Sequence, residues 1–142
     1  MAESGQATFR LEVVTPQRVL LSADVEELVA PGTEGYFGVL PGRAPFITTL
    51  QAGELIYWKG GKEHRLAVTW GYAEVRGDQV RILAKAAEGA EEIDVARADR
   101  ARQRAEKRLQ DWMNGDEAVD YARALGSLQR AMARLAVARK GE

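Results

Sequence analysis

The sequence predicts two bodies of different class: an N-terminal antiparallel β-sandwich followed by a C-terminal antiparallel helical hairpin. Three observations carry this. From Thr8 to Lys85 the apolar residues fall in short runs that end in turn residues, the pattern of strands. From Asp94 to Leu135 there is no proline, and alanine, arginine, glutamine and leucine dominate, all good helix formers. The charge changes with the pattern. Residues 1–93 hold nine basic and thirteen acidic side chains, net −4, whereas residues 94–142 hold eleven and eight, net +3. The expected domains are therefore 1–90 and 91–142.

The first expected strand alternates Phe9, Leu11 and Val13 with Arg10, Glu12 and Val14 until Pro16 breaks the run. Strands follow at Val25–Ala30, Phe46–Leu50, Leu55–Trp58, Arg65–Val68, Tyr72–Arg76 and Gln79–Ala84. Gly60-Gly61 and Gly77-Asp78 read as two-residue hairpin turns, which need positive φ. Many short strands with no helix between them argue for a sandwich or flattened barrel. The stretch Pro31–Pro45 holds three prolines and four glycines around Tyr36, Phe37, Val39 and Leu40. It reads as a shaped surface held on the sheet, because a flexible linker would be poorer in apolar residues. Glu26 and Glu27, adjacent in a strand, would point to opposite faces, which disfavours a shared acid–base role.

In the second body Asp94 is the expected N-cap, with Ile93 stapled against Ala98, and Asn114-Gly115 ends the helix. Asp116 is expected to cap the second helix, with Glu117 and Asp120 in its first turn and Arg139 and Lys140 in its last. The apolar stripes are Val95, Ala98, Ala101, Ala105, Leu109 and Trp112 on one helix and Ala124, Leu128, Ala131, Leu135 and Ala138 on the other. Most positions are alanine, which forfeits most of the roughly 1.5–3 kcal/mol that a large buried side chain contributes. Such a hairpin either packs closely at rest or leaves its seat.

At 142 residues the chain suits one domain with an appendage. It has no cysteine, hence no disulfide and no thiolate metal site. No apolar run approaches the roughly 20 residues that span a bilayer. Met1–Gln6 lacks the basic and apolar regions of a signal peptide, so a soluble, intracellular protein is expected. His64 is the sole histidine, which excludes a histidine metal cluster and leaves a Ser–His–Asp triad resting on one strand residue. No Gly-x-x-x-x-Gly-Lys-[Ser/Thr] phosphate loop occurs. Nothing here points to an enzyme, a metal or an obligatory cofactor.

The arginines are more informative. Arg97, Arg104 and Arg108 recur at intervals of seven and four and share a helical face, with Arg100 nearby, while Arg130 and Arg134 lie one turn apart. Guanidinium forks suit phosphate and carboxylate oxygens. Local pairs are expected for Arg102 with Glu106 and Lys107 with Asp111. Arg97, Arg104, Arg130 and Arg134 have no acid four residues on, which leaves them available for an external anion. Duplex nucleic acid is the alternative partner, weakened by a net charge of only +3. Tyr57, Trp58, Trp70 and Tyr72 admit a carbohydrate surface, although packing explains them more cheaply.

Two stretches carry a resemblance. Gly35-x-Phe37-Gly38-Val39-Leu40-Pro41-Gly42-x-Ala44-Pro45, followed by Thr48, Leu50 and Gly53, and the later Ile93-Asp94-Val95-Ala96-Arg97-Ala98 resemble the epsilon subunits of bacterial F-type ATP synthases. The likeness runs in order from about Thr8 to Ala138. Arg43 departs from the histidine that the family commonly has there, and Trp70 from the small residues usual before the glycine that stands here at Gly71.

The resemblance implies a non-catalytic central-stalk rotor subunit that couples ion translocation to ATP synthesis. Its sandwich would bind the gamma subunit and the membrane rotor ring of c subunits, with Glu34, Gly42, Arg43 and Ala44 at the ring. Its mobile hairpin would meet the alpha and catalytic beta subunits and inhibit ATP hydrolysis. ATP would be a regulatory ligand holding the hairpin down, at Glu88, Ile93, Asp94, Arg97, Ala98, Arg104, Arg130 and Arg134. The implied place is peripheral, on the cytoplasmic face of the bacterial plasma membrane, with no lipid insertion and no nucleic acid.

Overall fold

A computed structural model describes residues 6–140. Residues 1–5 and 141–142 lie outside the described residues, and with them most of the amino-terminal segment read above and the outer ends of both expected domains. The strands are β1 (Phe9–Val14), β2 (Val19–Val25), β3 (Glu27–Gly32), β4 (Gly35–Val39), β5 (Phe46–Leu50), β6 (Gly53–Lys59), β7 (Lys62–Arg76) and β8 (Gln79–Gly89). A single 3-10 turn, Ala90–Glu92, leads into α1 (Val95–Met113) and α2 (Tyr121–Lys140). A sandwich followed by a helical hairpin is thus what the chain forms.

The strands pair in the order β2-β1-β8-β7-β5-β3-β4, while β6 pairs with both β3 and β7. One pairing is not antiparallel: β1 lies parallel to β8, from Arg10↔Gln79 to Val14↔Leu83. The expected alternation holds in β1, where Phe9, Leu11 and Val13 are buried.

Four details correct the sequence reading. The strand β2 was not expected, and Glu26 lies in the bend between β2 and β3. There its carboxylate accepts from Gly60 N at 2.7 Å and Gly61 N at 2.8 Å, fixing the β6–β7 turn. Both turn glycines have positive φ, as a type I′ turn requires. The proline- and glycine-rich stretch contains a strand of its own, β4. Last, the runs Arg65–Val68 and Tyr72–Arg76 are not two strands but one of fifteen residues, β7.

The long strand bends at Gly71. Its carboxyl half pairs with β5 and its amino half with β6, so β7 passes from one layer to the other. β8 accompanies it throughout. The inward set shifts accordingly, from Leu66 and Val68 to Ala73 and Val75 on β7, and from Val80, Ile82 and Ala84 to Ala87 on β8. At the bend the backbones nearly touch: a Cβ on Gly71 would stand 1.8 Å from the Leu83 carbonyl oxygen. The core between the layers draws on these residues and on Leu11, Val25, Leu28, Val39, Leu50 and Leu55.

The hairpin starts as expected: Asp94 Oδ1 accepts from Arg97 N at 3.0 Å. Gly115, with φ +98°, closes α1. The second cap differs, because Asp116 accepts from Ala118 N in a turn and α2 is capped by Asp120, which accepts from Arg123 N at 3.1 Å. Val95 and Trp112, placed on the buried stripe, are exposed, and Trp112 stacks on Tyr121 at the far end of the hairpin. α2 uses two faces. Ala124, Ala131 and Ala138, on the expected stripe, are buried, and Ala138 joins Ala133, Val137, Ala67 of β7 and Ile93 in a small second cluster. Ile93, expected to staple Ala98, belongs to that cluster. Around it, Arg134 pairs with Glu88 and Lys140 with Glu54, tying α2 to β8 and β6.

Candidate functional site

Between the two helices and the end of β8 lies a cleft of about 380 Å³, lined by Glu88, Asp94, Arg97, Ala98, Arg104, Arg130 and Arg134 among others. Seven of the eight residues singled out for a nucleotide are therefore brought together. Ile93 is not among them, since it faces the α2 seat. The structure adds Arg108, which the helical spacing had already put on the same face, and Glu92 and Ser127, which no local signal marked. Its volume lies within the roughly 300–1,000 Å³ usual for small-molecule sites.

The floor is alanine: Ala98 and Ala105 are buried, and Ala101 is half-buried. Small residues let α1 and α2 approach closely, and the long arginines then stand around the rim. Five guanidinium groups line the cleft, and every carboxylate there is already engaged. Asp94 accepts the Arg97 amide, Glu88 accepts from Arg134 Nε, and Glu92 accepts from Arg18 Nη2 at 2.6 Å and from Gly89 N at 3.0 Å. Arg134, expected to be available, is thus held by a residue 46 positions away. Among the described residues no carboxylate pairs with Arg97, Arg104, Arg108 or Arg130. Arg102–Glu106 and Lys107–Asp111 pair as expected, outside the cleft.

Arg130 is the most constrained of these. Its Nη2 donates to Ser127 Oγ at 3.0 Å, and its Cζ stands 5.0 Å from the centre of the Trp70 ring. Burial, then the charges of Arg134 and Arg123, lower its pKa from the usual guanidinium value. A neighbouring anion would offset both effects.

Glu92 closes the linker against the sandwich. The Gly89 amide first, and the Arg18 guanidinium next, hold its carboxyl below the usual carboxylate range. Because folding lowers this pKa, the contribution is complete above the unfolded value and is lost as pH falls through the lowered one. Glu92→Gln is expected to cost about 1 kcal/mol near neutral pH. The deficit should shrink at acid pH, as the unaltered carboxyl takes up its proton on passing through the lowered pKa. Paired thermal melts at the two pH values check this.

The other candidate residues flank β4. Glu34 is in the β3–β4 turn, and Gly42, Arg43 and Ala44 are in the β4–β5 loop. This loop is shaped, as expected: Arg43 Nη1 donates to Gly38 O at 2.6 Å, and its guanidinium covers Phe46, which meets Phe37 edge to face. Leu40 remains exposed. Among the described residues no helix is long and apolar enough to cross a membrane.

Comparison with known proteins accounts for both bodies. Residues 8–90 match the beta-sandwich domain of the ATP synthase Delta/Epsilon chain, and residues 91–139 match its long alpha-helix domain. The basic helices, which alone would admit a nucleic-acid reading, thus fall within the second match. An ATP synthase epsilon chain of Pelotomaculum thermopropionicum is 59% identical over 102 residues, covering 72% of this chain and 76% of that one. The ATP synthase epsilon chain 2 of Syntrophotalea carbinolica is 48% identical over 133 residues, covering 94% and 95%. Among solved structures, a chain of the Euglena gracilis mitochondrial ATP synthase, in its OSCP/F1/c-ring assembly, superposes with a TM-score of 0.78 at 26% identity, covering 92% of this chain and 81% of that one. The chain belongs to the ATP synthase delta/epsilon family, as an epsilon chain.

Proposed function

We propose that this epsilon chain is a regulatory rotor component whose hairpin restrains ATP hydrolysis and whose interhelical cleft takes ATP. The sandwich would hold the gamma subunit and the c-ring, the loop at Gly42–Ala44 and the turn at Glu34 facing the ring. The hairpin would reach the alpha and beta subunits when it leaves its seat. ATP would be a ligand and not a substrate, in a subunit without catalytic residues on the cytoplasmic face of the membrane.

One observation carries the cleft reading: four guanidinium groups, of Arg97, Arg104, Arg108 and Arg130, face one space with every nearby carboxylate already occupied. A polyphosphate matches that arrangement through charge-assisted hydrogen bonds. Bound between α1, α2 and Glu88 of β8, it would favour the seated hairpin by differential affinity, since the cleft is dispersed when the helices depart.

Titration calorimetry of the isolated protein tests this. ATP should bind with measurable heat and raise the melting temperature. Arg97→Ala should weaken binding about tenfold or more, the loss of one charged hydrogen bond. Neither heat nor thermal shift at millimolar ATP would leave the arginine face as a docking surface only.

A further inference from the structure

Trp70 sits at the bend of β7, one residue before Gly71, and is half-buried. It does not line the cleft, yet it touches two residues of α2, Gly126 and Arg130, the second of which does. A Cβ placed on Gly126 would stand 3.2 Å from Trp70 Cη2 and 3.3 Å from Cζ2, so the helix backbone lies directly on the indole. Four residues on, Arg130 stacks its guanidinium over the same ring. Glycine inside a helix costs about 1 kcal/mol relative to alanine. Gly126 is buried, and the ring fills the space its missing side chain leaves.

α2 also meets the rest of the protein through a buried five-residue cluster, three of its members alanines, and through two ion pairs. The indole is the ring that lies against both Gly126 and Arg130. Arg130, with Ser127 as its sole side-chain hydrogen-bond partner among the described residues, has no carboxylate to hold it. Its neighbours Arg123 and Arg134 repel it. The ring offers it an attractive surface, because an aromatic face draws a guanidinium without neutralising it.

We propose that Trp70 is a positioning residue of the anion cleft: its indole seats α2 at Gly126 and aims Arg130, so that anion binding and hairpin docking are coupled through one side chain. The proposal rests on the cleft taking a polyphosphate. It assigns to Trp70 a role in affinity although the residue touches no ligand.

The test uses the full chain with Trp70→Leu and Trp70→Phe, ATP as the probe, and amide hydrogen exchange resolved over α2 and over the sandwich. Trp70→Leu keeps an apolar side chain, though a smaller one, and removes the aromatic face. It should weaken ATP binding about three- to thirtyfold, the range of one cation–π contact, and Trp70→Phe should recover part of the loss. In both variants the sandwich amides should stay protected, while α2 amides exchange faster in Trp70→Leu without ATP. Unchanged ATP affinity in Trp70→Leu with a protected sandwich would overturn the proposal. So would equal loss in the leucine and phenylalanine variants, which would mean that shape and not the aromatic face decides. If the unaltered protein binds no ATP, the cleft reading fails and the coupling with it. That failure is distinct, because it appears before any substitution is made.

Discussion

Gly71→Ala is expected to cost about 3 kcal/mol or more and to lower the melting temperature by about 10 °C or more. The reason is geometric. The added carbon would lie 1.8 Å from Leu83 O and 2.9 Å from Ala84 Cα, both backbone atoms that no rotamer change can move. Relief requires β7 and β8 to part at the point where both cross between layers, which opens the core on either side. Gly38→Ala is the control, since its nearest neighbour would be Leu28 O at 3.8 Å, an ordinary contact. Denaturant melts of the two variants should differ by most of the predicted cost. Equal stability would mean that the strands separate at Gly71 without loss of packing.

Removing every residue after Glu92 is expected to leave a cooperatively folded sandwich and to raise ATP hydrolysis by the reconstituted complex about fivefold or more at low nucleotide concentration. The first half follows from the core, whose buried members run from Phe9 to Ala87 and include nothing from the hairpin. Truncation uncovers Ala67 and releases Glu88 and Glu54 from their partners on α2, all near the surface. The second half depends on the hairpin acting as a brake. Steady-state hydrolysis with intact and shortened chains decides it, and an unchanged rate across nucleotide concentrations would remove the regulatory role. A shortened chain without a cooperative melt would instead show that the two bodies are not separable.

What was legible in the sequence was local. Gly60-Gly61, Asp94 and Asn114-Gly115 announce a turn, a cap and a helix end because each effect acts within four residues. The strand β2 was missed because only Ala23 and Val25 of its seven residues are buried, so its alternation is faint. Two aspartates four apart, Asp116 and Asp120, both suit an N-cap, and the structure gives the helix to the second. The continuity of β7 was hidden by Gly71, since glycine ordinarily weakens a strand and its use here depends on β8. The cleft was mostly legible through the resemblance and the arginine spacing. Glu88 with Arg134 and Arg18 with Glu92 were not read as pairs, because partners 46 and 74 residues apart leave no periodic trace.

The shared strands have a mechanical consequence. β7, fifteen residues and about 50 Å along its path, belongs to both layers, and β8 runs beside it from Leu66↔Gly89 to Arg76↔Gln79. In a sandwich whose sheets meet only through side chains, shear is resisted only by the interlocking of those side chains across an apolar plane. Here two covalent backbones cross that plane. A twist applied to one face and opposed at the other is carried along peptide bonds, and the ladder between β7 and β8 must unzip before one layer slides. Stiffness in this body therefore rests on these two strands as well as on the filling of its core, which suits a part that turns.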